Sequence, residues 1–188
     1  MKFISVVGLS LAATALPAVL SAAAITYSTT GIFSTTGTDM LPIGTGNLVF
    51  DGLVSNTVNA PSNISFGTFD ASGTGAGPIS SGETFILTIT QVSPTSGTAA
   101  ASATLSGSID PSSSSVLLSF NNTSFNIGGT DYTIAQPAGG YPIVPASSNK
   151  GLVTIEGTAA VPEPGTYLGI GSGLALMAIG SRRRRTRA

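Results

Sequence analysis

The sequence predicts a mainly β protein: an antiparallel β-sandwich or jelly-roll-like domain between an N-terminal signal peptide and a single C-terminal transmembrane helix. Three observations carry that expectation. Apolar residues in the middle of the chain recur at every second position, the period of a strand with one buried face. Clusters of Gly, Pro, Ser and Asn separate these runs at short intervals, as turns do in all-β domains. Each end of the chain carries an uncharged apolar stretch with a basic flank.

Residues 1–24 read as the signal peptide. Met1-Lys2-Phe3 is a short positive flank, Ile4 to Leu20 is the apolar stretch, and Ser21-Ala22-Ala23-Ala24 supplies the small residues that a signal peptidase needs. Ala22 and Ala24 satisfy an A-x-A pattern, so cleavage is expected after Ala24, with Ala23 nearly as good; Pro17 ends the apolar helix ahead of that site. The implied partners are the Sec translocon and signal peptidase. An uncleaved membrane helix is the alternative, and the short charged flank and the alanine cluster count against it.

The segment 25–160 has the size of one domain. Only 8% of the whole chain is charged, it has 24 glycines, and it lacks cysteine, histidine and tryptophan. Disulfides cannot staple such a domain, so sheet hydrogen bonding and apolar burial must hold it. The best alternation is Ala101, Ala103, Leu105, Gly107 and Ile109 against Ser102, Thr104, Ser106 and Ser108. Thr84 to Val92 places Phe85, Leu87 and Ile89 on one side; Val116, Leu118 and Phe120, Tyr132 with Ile134, and Val153 with Ile155 repeat the pattern. Weaker strands are expected at Ile25 to Tyr27, Leu48 to Phe50 and Ile64 to Phe66. Turns are expected at Ser93-Pro94-Thr95-Ser96-Gly97, Asp110-Pro111-Ser112 and Gly128-Gly129, and roughly eight to ten short strands in all. A disordered Ser/Thr-rich stalk is the competing reading, closest at 29–45 and 73–81; of eight phenylalanines all but Phe3 fall in the middle, which opposes it.

Of the seven basic residues only Lys2 and Lys150 lie outside the tail, and the middle carries Asp39, Asp51, Asp70, Glu83, Asp110, Asp131 and Glu156. A mildly acidic domain with no basic patch excludes nucleic acid as a partner. Lack of histidine and cysteine removes the triad base, the thiol nucleophile and most zinc sites. The acids are scattered singly, so a glycosidase-like pair has no support, and Ser-Lys catalysis through Lys150 is opposed by the turn-like Asn149-Lys150-Gly151. The domain is therefore expected to be no enzyme and to carry no cofactor. Calcium on Asp39, Asp51, Asp70, Asp110 or Asp131 lacks any D-x-D or EF-hand spacing, and solvated acids are the simpler reading. Carbohydrate binding is the alternative function and hydrolysis a weaker one. Tyr27, Tyr132 and Tyr141 are the only aromatic platforms of that middle segment besides phenylalanine, with Tyr141 between Gly140 and Pro142 the one expected to be exposed. Sequons at Asn63, Asn121 and Asn122 read as chance in a Ser/Thr-rich chain, whereas O-linked sugar on the hydroxyl faces is an open expectation.

The segment 161–188 divides into a hinge (161–166), an apolar helix (167–181) and an arginine-rich tail (182–188). Pro162 and Pro164 hold the backbone extended and remove two amide donors, displaying Glu163 on a stiff segment. Fifteen helical residues span about 22 Å against a hydrocarbon core of about 30 Å, so this anchor is marginal. Arg182, Arg183, Arg184, Arg185 and Arg187 form a cytoplasmic stop under the positive-inside rule, leaving the middle outside, with Tyr167 at the outer interface. Gly169-Ile170-Gly171-Ser172-Gly173 has no βαβ context and is no nucleotide loop; its G-x-x-x-G spacing suits either close helix packing or an easily unwound helix.

Pro162-Glu163-Pro164, the short apolar helix and the closing arginines together resemble the PEP-CTERM sorting signal of bacterial exported proteins. The resemblance covers the last 28 or so residues and implies that Pro162, Glu163 and Pro164 are recognition residues for a membrane-embedded exosortase. It implies a transient inner-membrane anchor followed by release to the cell envelope, surface or extracellular matrix. The family's association with exopolysaccharide makes that polymer an expected partner.

Overall fold

The computed structural model describes residues 22–162. The predicted signal peptide up to Ser21, Glu163 and Pro164 of the hinge, the predicted spanning segment and the arginine run lie outside the described residues. Within them the chain is mainly β, with one short 3-10 turn at Asn149–Gly151. The strands are β1 (Ala23–Phe33), β2 (Met40–Ile43), β3 (Gly46–Asp51), β4 (Asn56–Ala60), β5 (Ser62–Asp70), β6 (Gly77–Pro78) and β7 (Thr84–Ser93). They continue as β8 (Gly97–Ser106), β9 (Ser108–Ile109), β10 (Leu117–Phe120), β11 (Ser124–Ile127), β12 (Thr130–Ile134), β13 (Tyr141–Pro142) and β14 (Leu152–Ala160).

Two six-stranded sheets result, ordered β13-β10-β8-β7-β1-β4 and β11-β12-β14-β5-β3-β2, and every pairing in them is antiparallel. A small ladder, β6 with β9, stands apart. We call the two large sheets A and B in that order. Their inner faces meet in one apolar core. Phe33 of β1 and Phe85 of β7, from sheet A, meet Phe50 of β3 and Phe69 of β5, from sheet B, with the Phe50–Phe85 and Phe69–Phe85 centroids both 4.9 Å apart. Such tilted and edge-on pairs suit the ring quadrupoles. Toward the other end the core turns more polar. Tyr27 and Tyr132 pack edge to face at 6.1 Å; Tyr27 Oη donates to the Ser65 carbonyl at 2.7 Å and Tyr132 Oη to Gln91 Oε1 at 2.7 Å. These two buried hydroxyls keep partners, whereas the buried Thr130 Oγ1 has none among the described residues.

The alternating runs form the strands expected of them: Phe85, Leu87 and Ile89 of β7, and Ala101, Ala103 and Leu105 of β8, are buried. Gly107 breaks the predicted run. Its φ of +113° ends β8, and a Cβ there would meet the Ser115 carbonyl oxygen at 2.4 Å. The fourteen strands exceed the eight to ten expected because β2, β4, β6, β11 and β13 are too short or too polar to show a period. The segment closest to a disordered stalk, 29–45, instead completes β1 and forms β2. Gly31 explains why β1 was hard to see: a Cβ there would lie 2.3 Å from Phe85 Cζ, so the strand needs glycine at an inward position to admit that ring. The loop 73–81 carries β6, with Thr74 and Ile79 buried.

Candidate functional site

The candidate site is the junction where β14 ends and the predicted sorting segment begins. β14 is a central strand of sheet B, paired with β5 on one side and β12 on the other. Its last pairs are Ala159 with Tyr132 and with Ser62, and Ala160 with Asp131. Ala159 is fully buried and Val161 still packs against the core; Pro162 is exposed. β14 therefore ends at the residue before the predicted hinge 161–166. Of the sorting residues Pro162, Glu163 and Pro164, only the first lies within the described residues. The adjacent hairpin β11–β12 carries Asp131, whose Oδ1 accepts from Asn126 Nδ2 at 2.6 Å, in a shallow depression lined also by Ser124 and Thr133.

At the other terminus Ala22 is exposed just ahead of β1, whereas Ala24 lies inside β1 opposite Asn59 of β4. Ile25, the first residue after the expected cut, is completely buried. Among the described residues no helix is long and apolar enough to cross a membrane, and the predicted span 167–181 lies outside them.

Four of the seven acids of the middle, Asp70, Glu83, Asp110 and Asp131, accept hydrogen bonds that hold local structure. Glu83 is 2% exposed and acts as a clamp. Its Oε1 accepts from Ser34 Oγ at 3.0 Å and from the Thr35 amide at 3.2 Å, and its Oε2 accepts from the Thr35 hydroxyl. No local motif announces this, because the partners lie about fifty residues away. Asp110 caps its own turn: hydrogen bonds from the hydroxyls of Ser113 and Ser112, then from their amides, hold its carboxyl far below the usual carboxylate range. Asp70 accepts from the Ser72 amide at 2.7 Å. Among the described residues no three acids gather as a metal cage would require. Asn149 and Lys150 are exposed, as expected of a turn.

The expectation of an exposed tyrosine is overturned. Tyr141 is 6% exposed, its ring stands at 89° to Phe120, and its hydroxyl donates to the carbonyls of Ala135 at 2.9 Å and Glu156 at 3.0 Å. Gly140, at φ +107°, brings the backbone against the Leu118 carbonyl and turns the ring inward. Tyr27 and Tyr132 are completely buried. Among the described residues no tyrosine ring is exposed as a platform for sugar rings.

The two outer faces differ in charge. No strand of sheet A contains Asp, Glu, Lys or Arg, and its outer face carries hydroxyls in register, Ser28 opposite Thr90, Thr90 opposite Thr98 and Thr84 opposite Thr104, beside the apolar pair Ile32 and Ile86. Sheet B carries the strand-borne acids Asp51, Asp70, Asp131 and Glu156.

Residues 160–185 match the family described as the PEP-CTERM protein-sorting motif. The chain carries a PEP-CTERM sorting motif. The match begins on the last residue of β14, so motif and fold share only Ala160 among strand residues. A PEP-CTERM motif implies export, sorting to the cell envelope or surface, and processing by an exosortase. No curated protein and no solved structure matches the chain.

Proposed function

We propose that this PEP-CTERM protein is a non-enzymatic component of the cell surface or extracellular matrix, exported by its signal peptide and held briefly in the inner membrane by residues 167–181. An exosortase then cuts it near Pro162 to Pro164. The observation that carries this reading is the coincidence of the motif's start with the end of β14: the whole domain stands upstream of the cut, so processing removes the tail and leaves the fold intact. A non-catalytic role is supported by the structural engagement of Glu83, Asp110 and Asp131 and by the lack of histidine and cysteine.

The uncharged hydroxyl face of sheet A favours a neutral polar polymer over a charged one, and exopolysaccharide is the partner we assign to it. Intact-mass analysis of protein from the cell-surface fraction tests the processing. The expected species starts at Ile25, ends between residues 160 and 166, and lacks 167–188; a surface species that retains Arg187 would overturn it. The partner is tested by co-sedimentation of the processed protein with matrix polysaccharide. Loss of binding on introducing Thr88→Lys with Ser102→Lys is expected, and binding unchanged by both lysines would remove sheet A from the interaction.

A further inference from the structure

We infer that the end of the domain from which both of its termini leave is a lipid-facing surface, held against the bilayer while the tail is still attached. The inference deepens the transient-anchor reading above and rests on it.

The strand registers place the termini together. Ala23 pairs with Ala60, the last residue of β4; two residues later Ser62 opens β5, and Ser62 pairs with Ala159. Paired residues lie about 4.5–5.5 Å apart and two chain steps cover at most about 7.6 Å, so Ala23 and Ala159 are within about 19 Å of each other across the two sheets. The turn 93–97 lies at the same pole, because Ser93 pairs with Thr26, and the β11–β12 hairpin joins it through Gly128 against Thr95. β1 runs away from this pole for about 36 Å at 3.3 Å per residue.

Charge separates the two poles. Near the termini Asp131 is the only charged side chain within the turns 59–62, 93–97 and 127–131; the rest are small or neutral residues. The opposite pole carries Asp39, Asp70, buried Glu83, Asp110 and Lys150, at the far ends of β1, β5, β7, β9 and β14. Against anionic headgroups the neutral pole meets the smaller repulsion. The tether enforces closeness. Residues 161–166 reach at most about 20 Å when extended, and Val161 is already packed on the core. A tether of six residues at one pole keeps that pole next to the membrane.

The absence of cysteine makes the test direct, since each substitution supplies a single thiol. Full-length chain carrying Asn59→Cys or Ser96→Cys at the near pole, or Ser81→Cys or Ser148→Cys at the far pole, is labelled with a fluorophore and reconstituted into vesicles. The vesicles hold three parts phosphatidylcholine to one part phosphatidylglycerol, with headgroup quencher. Near-pole labels are expected to be quenched at least twofold more than far-pole labels. Equal quenching at all four positions, or stronger quenching at Ser81 and Ser148, overturns the pole assignment with anchorage intact. No quenching at any position overturns the anchorage itself.

Discussion

Replacing Glu83 by alanine leaves the Ser34 hydroxyl and the amide and hydroxyl of Thr35 without their acceptor, in a loop that also holds the start of β7 through the Thr84 amide on Ser34 Oγ. The expected loss is about 2–3 kcal/mol by urea denaturation, the scale of a buried charged hydrogen-bond acceptor, and a loss under about 0.5 kcal/mol would show the clamp to be idle. Tyrosine ionisation sets an alkaline limit. Burial, with a smaller contribution from Tyr27, pushes Tyr132 up to about 12, and burial raises Tyr27 and Tyr141 as well. The folded state thus binds these protons more tightly than the unfolded chain, where tyrosine titrates near 10. Their contribution to stability is complete below about pH 10 and is lost as pH rises toward about 12. Tyrosinate absorbance and circular dichroism should therefore change together in that window. Ionisation of these tyrosines well below the unfolding transition would contradict their burial.

Among the elements, β14 is sensitive to a change of volume. Gly157 faces inward with Phe66 Cε2 2.5 Å and the Thr133 carbonyl oxygen 2.0 Å from where a Cβ would stand. The carbonyl belongs to the β12 backbone and cannot swing aside, so Gly157→Val is expected to cost at least about 2 kcal/mol, measured as a shift in the denaturation midpoint. A neutral result would mean that β12 and β14 can separate cheaply. The same crowding explains which elements were readable. β7 and β8 show a clear period because Phe85, Leu87, Ile89, Ala101, Ala103 and Leu105 fill inward positions, with Gln91 the polar exception near the end of β7. β1 hides its period because Thr29 and Gly31 occupy inward positions, the first hydrogen-bonded to Leu53 and the second making room for Phe85. Edge strand β4 offers the sequence only Val58 and Ala60 as apolar residues. Tyr141 misled because Gly140 and Pro142 mark an exposed turn by composition; the ring's direction depends on Phe120, far along the chain. At the candidate site, the order of hinge, apolar run and arginines was legible residue by residue. Its abrupt start at the end of a central strand was not, since only the pairing of β14 with β5 and β12 makes that strand central.

For the molecule as a whole, the order of strands in sequence and in space differ most at the C-terminal end. β14 is the last strand made and stands between β12 and β5 in the middle of sheet B. Until it arrives, both neighbours keep a row of unpaired backbone donors and acceptors, an opening that invites other strands. A chain exported amino end first therefore cannot close sheet B until residue 160 has crossed. Under the transient anchor proposed above, completion of export starts the final folding step while residues 167–181 hold the chain. Truncation after Gly151 should give a protease-sensitive, aggregation-prone chain, while truncation after Pro162 should give a resistant one. Equal resistance of the two would separate folding from the end of transport.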